Sequence, residues 1–542
     1  MAIPQNCTVL IIGGGPAGSY AAAVLAREGI DTVILEADKF PRYHVGESAI
    51  PSLHYLFKFI DFHETFSSYG FNQKNGAYIK LAKHLPEINN DFRALQGPNG
   101  FAWNLIRSEF DELVFRYAGT CGARIFEETE VENIEFEPCS IQTVLSSKED
   151  SSGSFHAKKP VSANWVRKID GTSGSISFKY LIDASGRQGI LSTKYLKNRK
   201  FNENLKNVAS WAYWKSDNVY AAGTPTEGAP YFEALEDCSG WAWYIPLHNG
   251  TRSVGIVQDQ KLMAKKKASL GRPSTLDFYN ECIKMAPTIK DLLKGAEFIN
   301  NIKSASDWSY TASTYHIPNA RICGDAGAFI DPLFSSGVHL AMNGGLSAAA
   351  TICASIRGHC DEATAGSWHS KRTVESYTRF FLVVSSVTRQ MRQQNEPILR
   401  GNDEEGFERA FQIFRPIILG AVDNNIDNKY SKVEIAKALE FCFGAFTRVT
   451  SETGDSTPQD PKTLGVSSGN NTITSHRNLE DMRKNLTPNQ IEILETLESR
   501  RMIRDDHFEI DSHTFDTIDG YLLNAVRGKL GLVKAEQAKV NI

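Results

Sequence analysis

A glycine-rich turn between a buried strand and a helix constrains the fold more than any other feature of the sequence. Residues 8–12, TVLII, are apolar and mostly β-branched, as in a buried parallel strand. Gly13, Gly15 and Gly18 follow with the spacing G-x-G-x-x-G, and a helix of small residues comes next. A second strand, DTVILEAD, ends at Glu36. This order of strand, glycines, helix, strand and acid predicts a Rossmann-like α/β unit that binds a dinucleotide.

Each part of this unit has a role in holding a dinucleotide. Gly13 permits the tight turn, Gly15 lets the backbone approach a pyrophosphate, and Gly18 lets the helix pack closely on the strand. Glu36 can accept hydrogen bonds from a ribose. Ala17, in the first turn of the helix, belongs to the same predicted cofactor site.

A second strand-to-helix connection, residues 322–345, predicts the place where a flavin ring and a small anion meet. The run ICGDAG ends a short strand, as YLIDASGR does earlier, and we expect Asp325 to meet the ribityl or pyrophosphate region. A helix or turn cap is the alternative for Asp325. The pattern F-x-x-P-x-x-S-x-G is formed by Phe329, Pro332, Ser335 and Gly337. It leads into a helix of small residues, where the free amides of Ser336 and Gly337 form an anion cradle.

The stretch 101–118 predicts a helix between these cofactor segments. Ser108 and Asp111 have the spacing of a capping box, with Asp in the place of Glu. Arg107 precedes the helix, and we expect its guanidinium to reach a flavin phosphate or ring. A surface ion pair is an equally open alternative for Arg107.

Residues 205–260 alternate and are rich in aromatic side chains, which predicts antiparallel strands. In the hexapeptide WAWYIP, a period of two places Trp241, Trp243 and Ile245 on one face. Ordinary packing of a sheet against helices is the alternative use of such a face.

The domain organisation follows from these patterns. We expect a cofactor domain over 1–365, with an antiparallel substrate sheet interleaved at about 75–100 and 200–310, and a helical C-terminal region over 366–542. The segments with helical periodicity in that region are 369–395, 404–422, 430–448, 488–503 and 514–534. Residues 450–478 are polar and rich in Gly, Ser, Thr and Pro, which predicts a flexible insert.

Composition excludes several function classes. The formal net charge is −4 and 23% of residues are charged, so no basic field favours a nucleic-acid partner. The nine cysteines are scattered without a C-x-x-C pair, which indicates reduced thiols and no metal site. We recognise no leader peptide and no apolar run of roughly 20 residues, so we expect a cytoplasmic protein without a membrane span.

Three motifs in order resemble the signature of the flavin-dependent halogenases: the glycine fingerprint, the hexapeptide Trp241–Pro246 and the loop from Phe329 to Gly337. The segment FPRYHVGESAIPSL is most similar to free-standing phenol halogenases of fungal polyketide pathways. The resemblance implies an FAD-binding three-layer fold of the glutathione-reductase and hydroxybenzoate-hydroxylase type.

The resemblance also implies the chemistry. Reduced FAD from a separate flavin reductase reacts with O2 and oxidises bound chloride or bromide to hypohalous acid, which passes to a lysine beside a small aromatic substrate. Lys74 occupies the position of the family's catalytic lysine, with Lys80 as the fallback. Ser336 and Gly337 would bind the halide, and Trp241 and Trp243 would shield the flavin from the substrate.

One departure favours an electron-rich phenol. Tryptophan halogenases carry Glu directly before the Ser of the third motif, where this chain has Phe334. His44 and His339 are guesses for the base that removes the phenol proton. Two alternatives stay open: an aromatic hydroxylase that uses NAD(P)H directly, and a halogenase that acts only on a substrate tethered to a carrier protein.

Overall fold

Two eight-stranded sheets contain most of the strands in the computed structural model, which describes residues 2–97, 100–139, 158–299, 301–395, 417–420, 423 and 517–538. The strands of these residues are β1 (Asn6–Ile12), β2 (Thr32–Leu35), β3 (Asn72–Lys74), β4 (Gly76–Lys80), β5 (Ile88–Asp91), β6 (Ala102–Asn104), β7 (Arg124–Phe126), β8 (Thr129–Pro138), β9 (Lys158–Arg167), β10 (Ser173–Asp183), β11 (Arg199–Lys215), β12 (Tyr231–Ala234), β13 (Gly240–Pro246), β14 (Thr251–Asp259), β15 (Glu297–Phe298), β16 (Lys303–Ala312), β17 (His316–Ile317), β18 (Ala320–Ile322), β19 (Tyr521–Asn524) and β20 (Gly531–Lys534).

Helices pack against both sheets. The α-helices of the described residues are α1 (Pro16–Arg27), α2 (Leu53–Phe59), α3 (His63–Ser67), α4 (Phe92–Gln96), α5 (Arg107–Thr120), α6 (Gln260–Ser269), α7 (Thr275–Ile283), α8 (Pro287–Leu292), α9 (Gly337–Ile356), α10 (Glu362–Arg392) and α11 (Ala535–Ala538). Single turns of 3₁₀ helix lie at Gly186–Gln188, Gly324–Ala326 and Pro332–Phe334, and a π-helical turn spans Ile190–Tyr195.

The first sheet is the middle layer of a three-layer unit. Its order is β17-β18-β10-β1-β2-β7, parallel from β18 to β7, and β8 and β9 join β10 as an antiparallel ribbon. Val9 and Ile11 pack with α1, α5 and α9, whereas Leu10 and Ile12 pack with the ribbon on the other face. Because alternate side chains point to opposite faces, β1 is buried on both sides. The predicted Rossmann-like α/β fold is confirmed.

The second sheet has the order β15-β11-β14-β13-β12-β4-β5, with β16 paired to β11. Its pairs are antiparallel except for β4 and β12, which run parallel. One face packs against α10, and the other packs against α7 and α8. The predicted antiparallel strands between residues 205 and 260 are therefore confirmed.

The predicted capping box of α5 is wrong. The helix begins at Arg107, its N-cap is Ile106, and no side chain caps it. Ser108 and Asp111 lie inside the helix, and the Asp111 carboxylate accepts hydrogen bonds from the Arg107 guanidinium instead. The guanidinium, one turn away on the same helix, outcompetes the backbone amides for this carboxylate.

The C-terminal helix prediction at 514–534 is also wrong, because β19 and β20 form an antiparallel hairpin there. Gly528 has a positive φ of 76° in the turn, and Arg357 Nη1 donates to the Leu530 carbonyl at 2.6 Å. The predicted helix at 369–395 is confirmed by α10 as far as Arg392.

Several predictions of the C-terminal region lie outside the described residues. These are the helices at 430–448 and 488–503, the insert at 450–478 and, except for residues 417–420, the helix at 404–422. The division into domains at residue 365 stays a prediction. In the described part of the chain, eight cysteines are free, and none of the helices has both the length and the apolar character needed to cross a membrane.

Close packing of α1 on β1 predicts a penalty for any side chain at Gly18. A Cβ there would lie 2.0 Å from the Gly13 carbonyl oxygen, a rigid backbone atom. We expect Gly18→Ala to lower the free energy of unfolding by about 2 kcal/mol or more, measured by denaturant unfolding. Gly119→Ala is the matched control, because its Cβ would meet only the flexible end of Ile125, 3.0 Å away. Equal effects of both substitutions would contradict this account.

Candidate functional site

The glycine turn after β1 leaves one position open to a ligand. Gly13 has a φ of 98°, and a Cβ there would lie 2.4 Å from the Ala184 carbonyl oxygen. At Gly15, the N-cap of α1, a Cβ would meet only Arg42 Nη2, at 3.4 Å. Backbone atoms therefore fill the space next to Gly13, whereas the space next to Gly15, at the first amides of α1, is open.

The acid at the end of the second strand lies directly against this turn. Glu36 Oε2 accepts a hydrogen bond from the Gly14 amide at 2.5 Å, and Oε1 accepts one from the Asp38 amide at 2.9 Å. Ala17 is buried in the first turn of α1, and a Cβ at Gly324 would lie 3.4 Å from the Ala17 Cβ. The turn after β1 and the turn after β18 thus meet at the start of α1.

Arg107 lies in a buried ion pair and not at the surface. Its Nε and Nη2 donate to the two carboxylate oxygens of Asp111 at 2.9 and 3.1 Å, and Arg42 Nη1 donates to the same carboxylate at 3.0 Å. Burial opposes ionisation of Asp111, but the two guanidinium groups outweigh burial and lower its pKa. Arg107 Nη1 also donates to the carbonyls of Val45 and Gly46 at 2.8 and 3.3 Å.

Asp325 lies in the 3₁₀ turn after β18, within the electrostatic reach of Arg107. Burial raises the pKa of its carboxyl to about 6, against the charges of Arg107, Arg187 and Arg199. In the described part of the chain, we find no donor that hydrogen-bonds this carboxylate. A ligand hydroxyl can therefore be its partner.

The loop from Phe329 to Gly337 ends in an unusual helix entry. Pro332 begins a 3₁₀ turn, and Ser335 has a φ of 56°, a left-handed conformation that turns the chain into α9. Ser336 is the N-cap and is fully buried, yet its hydroxyl has no hydrogen-bond partner among the described residues. At Gly337, a Cβ would meet nothing within 4 Å. A buried donor without a partner and free helix amides together suit an anion.

The predicted shared face of β13 is confirmed. Trp241 and Trp243 are both buried, their ring centroids are 5.8 Å apart, and they share an apolar cluster with Ile245. The same cluster contains Phe334 of the helix-entry loop. Trp243 Nε1 donates to Ser253 Oγ at 3.1 Å. We call Trp241, Trp243 and Phe334 the apolar wall.

Lys74, the last residue of β3, is a buried cation. Its side chain is 2% exposed, its Nζ donates to the Ala49 carbonyl at 3.0 Å, and the Phe92 ring centroid lies 5.2 Å away. Among the described residues, no carboxylate forms an ion pair with it. Burial therefore lowers its pKa from 10.5 to about 7. Lys80 differs, because it is partly exposed and lies across from Glu233 in the sheet.

Both histidines guessed as a base make hydrogen bonds within the protein. His44 Nδ1 lies 2.7 Å from the Val45 carbonyl, and Arg107 and burial lower its pKa to about 4. His339 is fully buried, with Nδ1 2.8 Å from Ser52 Oγ and Nε2 2.9 Å from Asp423 Oδ2. Both of its ring nitrogens are therefore engaged.

Two acidic residues near the site were missed by the sequence reasoning. Asp423 binds His339, the Ser376 hydroxyl and the Arg379 guanidinium, and it belongs to a region whose helical pattern gave no sign of this cluster. Glu47 is 4% exposed and accepts a hydrogen bond from the Tyr213 hydroxyl at 2.7 Å. The sequence does contain a signal for Glu47: it is an acidic residue within a run of apolar and small residues, VGESAIP.

These features fit FAD. Open amides at Gly15 and an acid at Glu36 offer groups for pyrophosphate and ribose. The Asp325 carboxylate and the Ser336 hydroxyl, which have no hydrogen-bond partner among the described residues, offer groups for the ribityl chain and the ring. Within the described residues, no group of three His, Cys, Asp or Glu side chains is placed to hold a metal. The family model described as "FAD binding domain" matches residues 6–376. The fold and the site thus define an FAD-binding protein.

Relatives narrow this class. The chain is 49% identical over 538 residues to the flavin-dependent halogenase ascD of Acremonium egyptiacum, covering 99% of this chain and 94% of the relative. It is 47% identical to the sulochrin halogenase gedL of Aspergillus terreus, covering 99% and 95%. The crystal structure of the flavin-dependent halogenase CmlS superposes with a TM-score of 0.62 at 26% identity, covering 83% of this chain and 79% of that one. The chain belongs to the flavin-dependent halogenases, enzymes that use FAD with a halide and O2.

The burial of Lys74 predicts a specific pH dependence of stability. Its pKa is about 7 in the folded chain and about 10.5 in the unfolded chain, so the folded chain binds fewer protons between these pH values and gains stability as pH rises through them. We expect Lys74→Met to stabilise the protein most at about pH 6, and this advantage to shrink toward pH 10 by about 1.4 kcal/mol per unit of pKa shift.

Chemical unfolding at a series of pH values measures this difference. Lys80→Met is the control, because that side chain is partly exposed and its replacement should show no comparable trend. A constant difference between wild type and Lys74→Met over the whole range would contradict a buried, uncompensated ammonium.

Proposed function

We propose that this chain halogenates an electron-rich phenol, and that Lys74 carries the oxidised halogen to the ring. Lys74 is buried and has no carboxylate partner among the described residues, and this observation carries the proposal. A lysine placed in this way for structure alone destabilises the fold, so a chemical use is favoured. The sulochrin halogenase among the relatives supports the phenolic substrate class.

The cofactor site in this proposal consists of the residues predicted from the sequence. Reduced FAD, supplied by a separate flavin reductase, would activate O2 and oxidise chloride or bromide to hypohalous acid. The residues that hold FAD are Gly13, Gly15, Ala17, Gly18, Glu36, Arg107, Asp325, Pro332 and Gly337. Arg107 also acts on two carboxyl groups: its ion pair lowers the pKa of Asp111, and its charge opposes the rise that burial causes in the pKa of Asp325.

Ser336 and Gly337 bind the halide in this proposal. The positive end of the α9 dipole and the free amides of its first turn attract an anion. The Ser336 hydroxyl adds one hydrogen-bond donor that has no other partner in the described structure. Pro332 stiffens the loop and contributes no competing amide.

The apolar wall keeps the phenol away from the flavin. Trp241, Trp243 and Phe334 form a packed surface between the substrate sheet and the helix-entry loop. Such a surface excludes water and prevents direct hydroxylation of the ring. Phe334 brings no charge to the oxidant, so reactivity has to come from the ring itself, as it does in a phenol.

Lys74 can act in either protonation state. With a pKa of about 7, both the ammonium and the neutral amine are populated near neutral pH. The ammonium can hydrogen-bond the oxygen of hypohalous acid and polarise it, whereas the amine can form a haloamine. Both routes place the halogen at a fixed position next to the ring.

Halogenation of free phenols tests this function directly. The full chain is incubated with FAD, a flavin reductase, NADH, chloride or bromide, and a panel of resorcylic and orsellinic phenols, and products are identified by their isotope pattern. We expect the wild type to halogenate at least one phenol. We expect Lys74→Ala to keep oxidising reduced flavin at the wild-type rate while its halogenated product falls at least 100-fold.

Controls separate the alternatives. Lys80→Ala should retain activity, and omission of halide should abolish product. Hydroxylated product formed without halide would establish the aromatic hydroxylase instead. Activity that appears only when the phenol is attached to a carrier protein would replace the free substrate with a tethered one.

The halide site makes a separate prediction. A hydrogen bond to an anion contributes about 1.5–3 kcal/mol, so Ser336→Ala should raise the KM for chloride at least tenfold with a smaller change in kcat. Ser385→Ala is the matched control, because it removes another buried serine hydroxyl without a partner among the described residues, in helix α10. An unchanged halide KM in Ser336→Ala would remove this hydroxyl from the halide site.

A further inference from the structure

A chain of hydrogen bonds leads from the surface to a buried carboxyl group beside the apolar wall. The Tyr43 side chain is 50% exposed, and its hydroxyl lies 3.0 Å from that of Tyr213. Tyr213 donates to Glu47 Oε1 at 2.7 Å. The Ser253 hydroxyl, which accepts from Trp243 Nε1 at 3.1 Å, lies near enough to Glu47 to lower the pKa of its carboxyl. This series of hydrogen bonds therefore connects solvent with Glu47, beside the apolar wall.

Each hydroxyl group in this series of hydrogen bonds donates toward the interior, from Tyr43 to Tyr213 and from Tyr213 to Glu47. Because Tyr213 donates to Glu47, the hydrogen between the two tyrosines comes from Tyr43. Trp211 Nε1, which can only donate, occupies the Tyr43 oxygen at 2.6 Å and leaves the hydrogen of Tyr43 for Tyr213. Burial raises the pKa of both tyrosines, so both remain neutral hydroxyls that can pass a proton on.

The groups around Glu47 make its carboxyl a proton carrier at neutral pH. Burial raises its pKa to about 7, against the hydrogen bonds from Tyr213 and Ser253 and the charge of Arg107 on α5. At the outer end, Lys303 Nζ lies 4.1 Å from the centroid of the Tyr43 ring. A carboxyl that titrates near neutral pH both takes up and releases protons readily.

The halogenation proposed above consumes a proton, and this inference rests on that function. Reduced flavin (FADH2), O2, one halide ion, one aromatic C–H and one proton become FAD, the halogenated ring and two waters. The flavin and the halide each give up two electrons, O2 takes four, the C–H bond breaks and a carbon–halogen bond forms. One proton must therefore enter from solvent in every turnover.

We propose that Tyr43, Tyr213 and Glu47 form the relay that brings this proton into the site. The apolar wall keeps bulk water away from the oxidant, so a proton needs hydrogen-bonded protein groups as its path. Glu47 belongs to the same short segment whose Ala49 carbonyl holds Lys74. The relay thus ends at the segment that also positions the halogen carrier.

Infrared spectroscopy of the full chain with oxidised FAD bound tests the relay without any turnover. The carbonyl band of protonated Glu47 is identified by its loss in Glu47→Gln. We expect this band to titrate near pH 7 and to shift rapidly on transfer to D2O. Tyr43→Phe or Tyr213→Phe should slow the shift at least tenfold. Tyr69→Phe is the matched control, since Tyr69 is an exposed tyrosine that donates to Glu109, and it should change nothing. Equal exchange rates in all variants would overturn the relay.

Turnover measurements then test what the relay serves. Glu47→Gln and Tyr213→Phe should slow halogenation at least tenfold and remove the inflection near pH 7 from the rate profile. When FADH2 is supplied already reduced, an indicator dye should report one proton taken up per product in the wild type. Variants that match the wild type in rate and profile would overturn the relay. If the wild type halogenates no phenol while the infrared results hold, the proposed function fails and the proton path itself stands.

Discussion

The ion pair between Arg107 and Asp111 is the interaction on which the rest of the site depends. The pair is buried, and removal of one partner from such a pair costs about 3–5 kcal/mol. Arg107 also holds the carbonyls of residues 45–46, so one guanidinium ties α5 to the segment that runs between the two sheets. That segment presents Glu47 to the substrate sheet and a carbonyl to Lys74. The positions of Glu47 and Lys74 therefore depend on the ion pair between Arg107 and Asp111, although neither residue belongs to it.

Patterns with a strict period were sufficient to predict most of the fold. Gly13 and Gly18 could be recognised as parts of a strand-to-helix turn, because close backbone contacts exclude any side chain at these positions. The two-residue period of a strand placed Trp241 and Trp243 together, and the structure has them 5.8 Å apart. Lys74 was found through a resemblance, since nothing in its local sequence reveals that it is buried.

Features that depend on distant partners could not be read from the sequence. Ser108 and Asp111 have the right spacing for a cap, but Arg107 competes for the carboxylate. Residues 521–534 carry apolar side chains that suit a helix as well as a strand, and the hairpin is decided by packing against the end of α9. Burial raises the pKa of Glu47, and its hydrogen-bond partner Tyr213 lies 166 residues further along the chain.

The charges buried around Asp423 have a consequence for how this enzyme can be shortened. Its carboxylate neutralises Arg379 and binds His339, and its backbone carbonyl accepts from Arg372. The match to the FAD binding domain ends at residue 376, in the middle of the helix that carries these arginines. A fragment that ends at residue 376 lacks half of α10 and also lacks Asp423. The imidazole of His339, beside the helix entry, then has no carboxylate partner. A minimal catalytic fragment therefore has to extend past residue 423, far beyond the recognisable nucleotide-binding sequence.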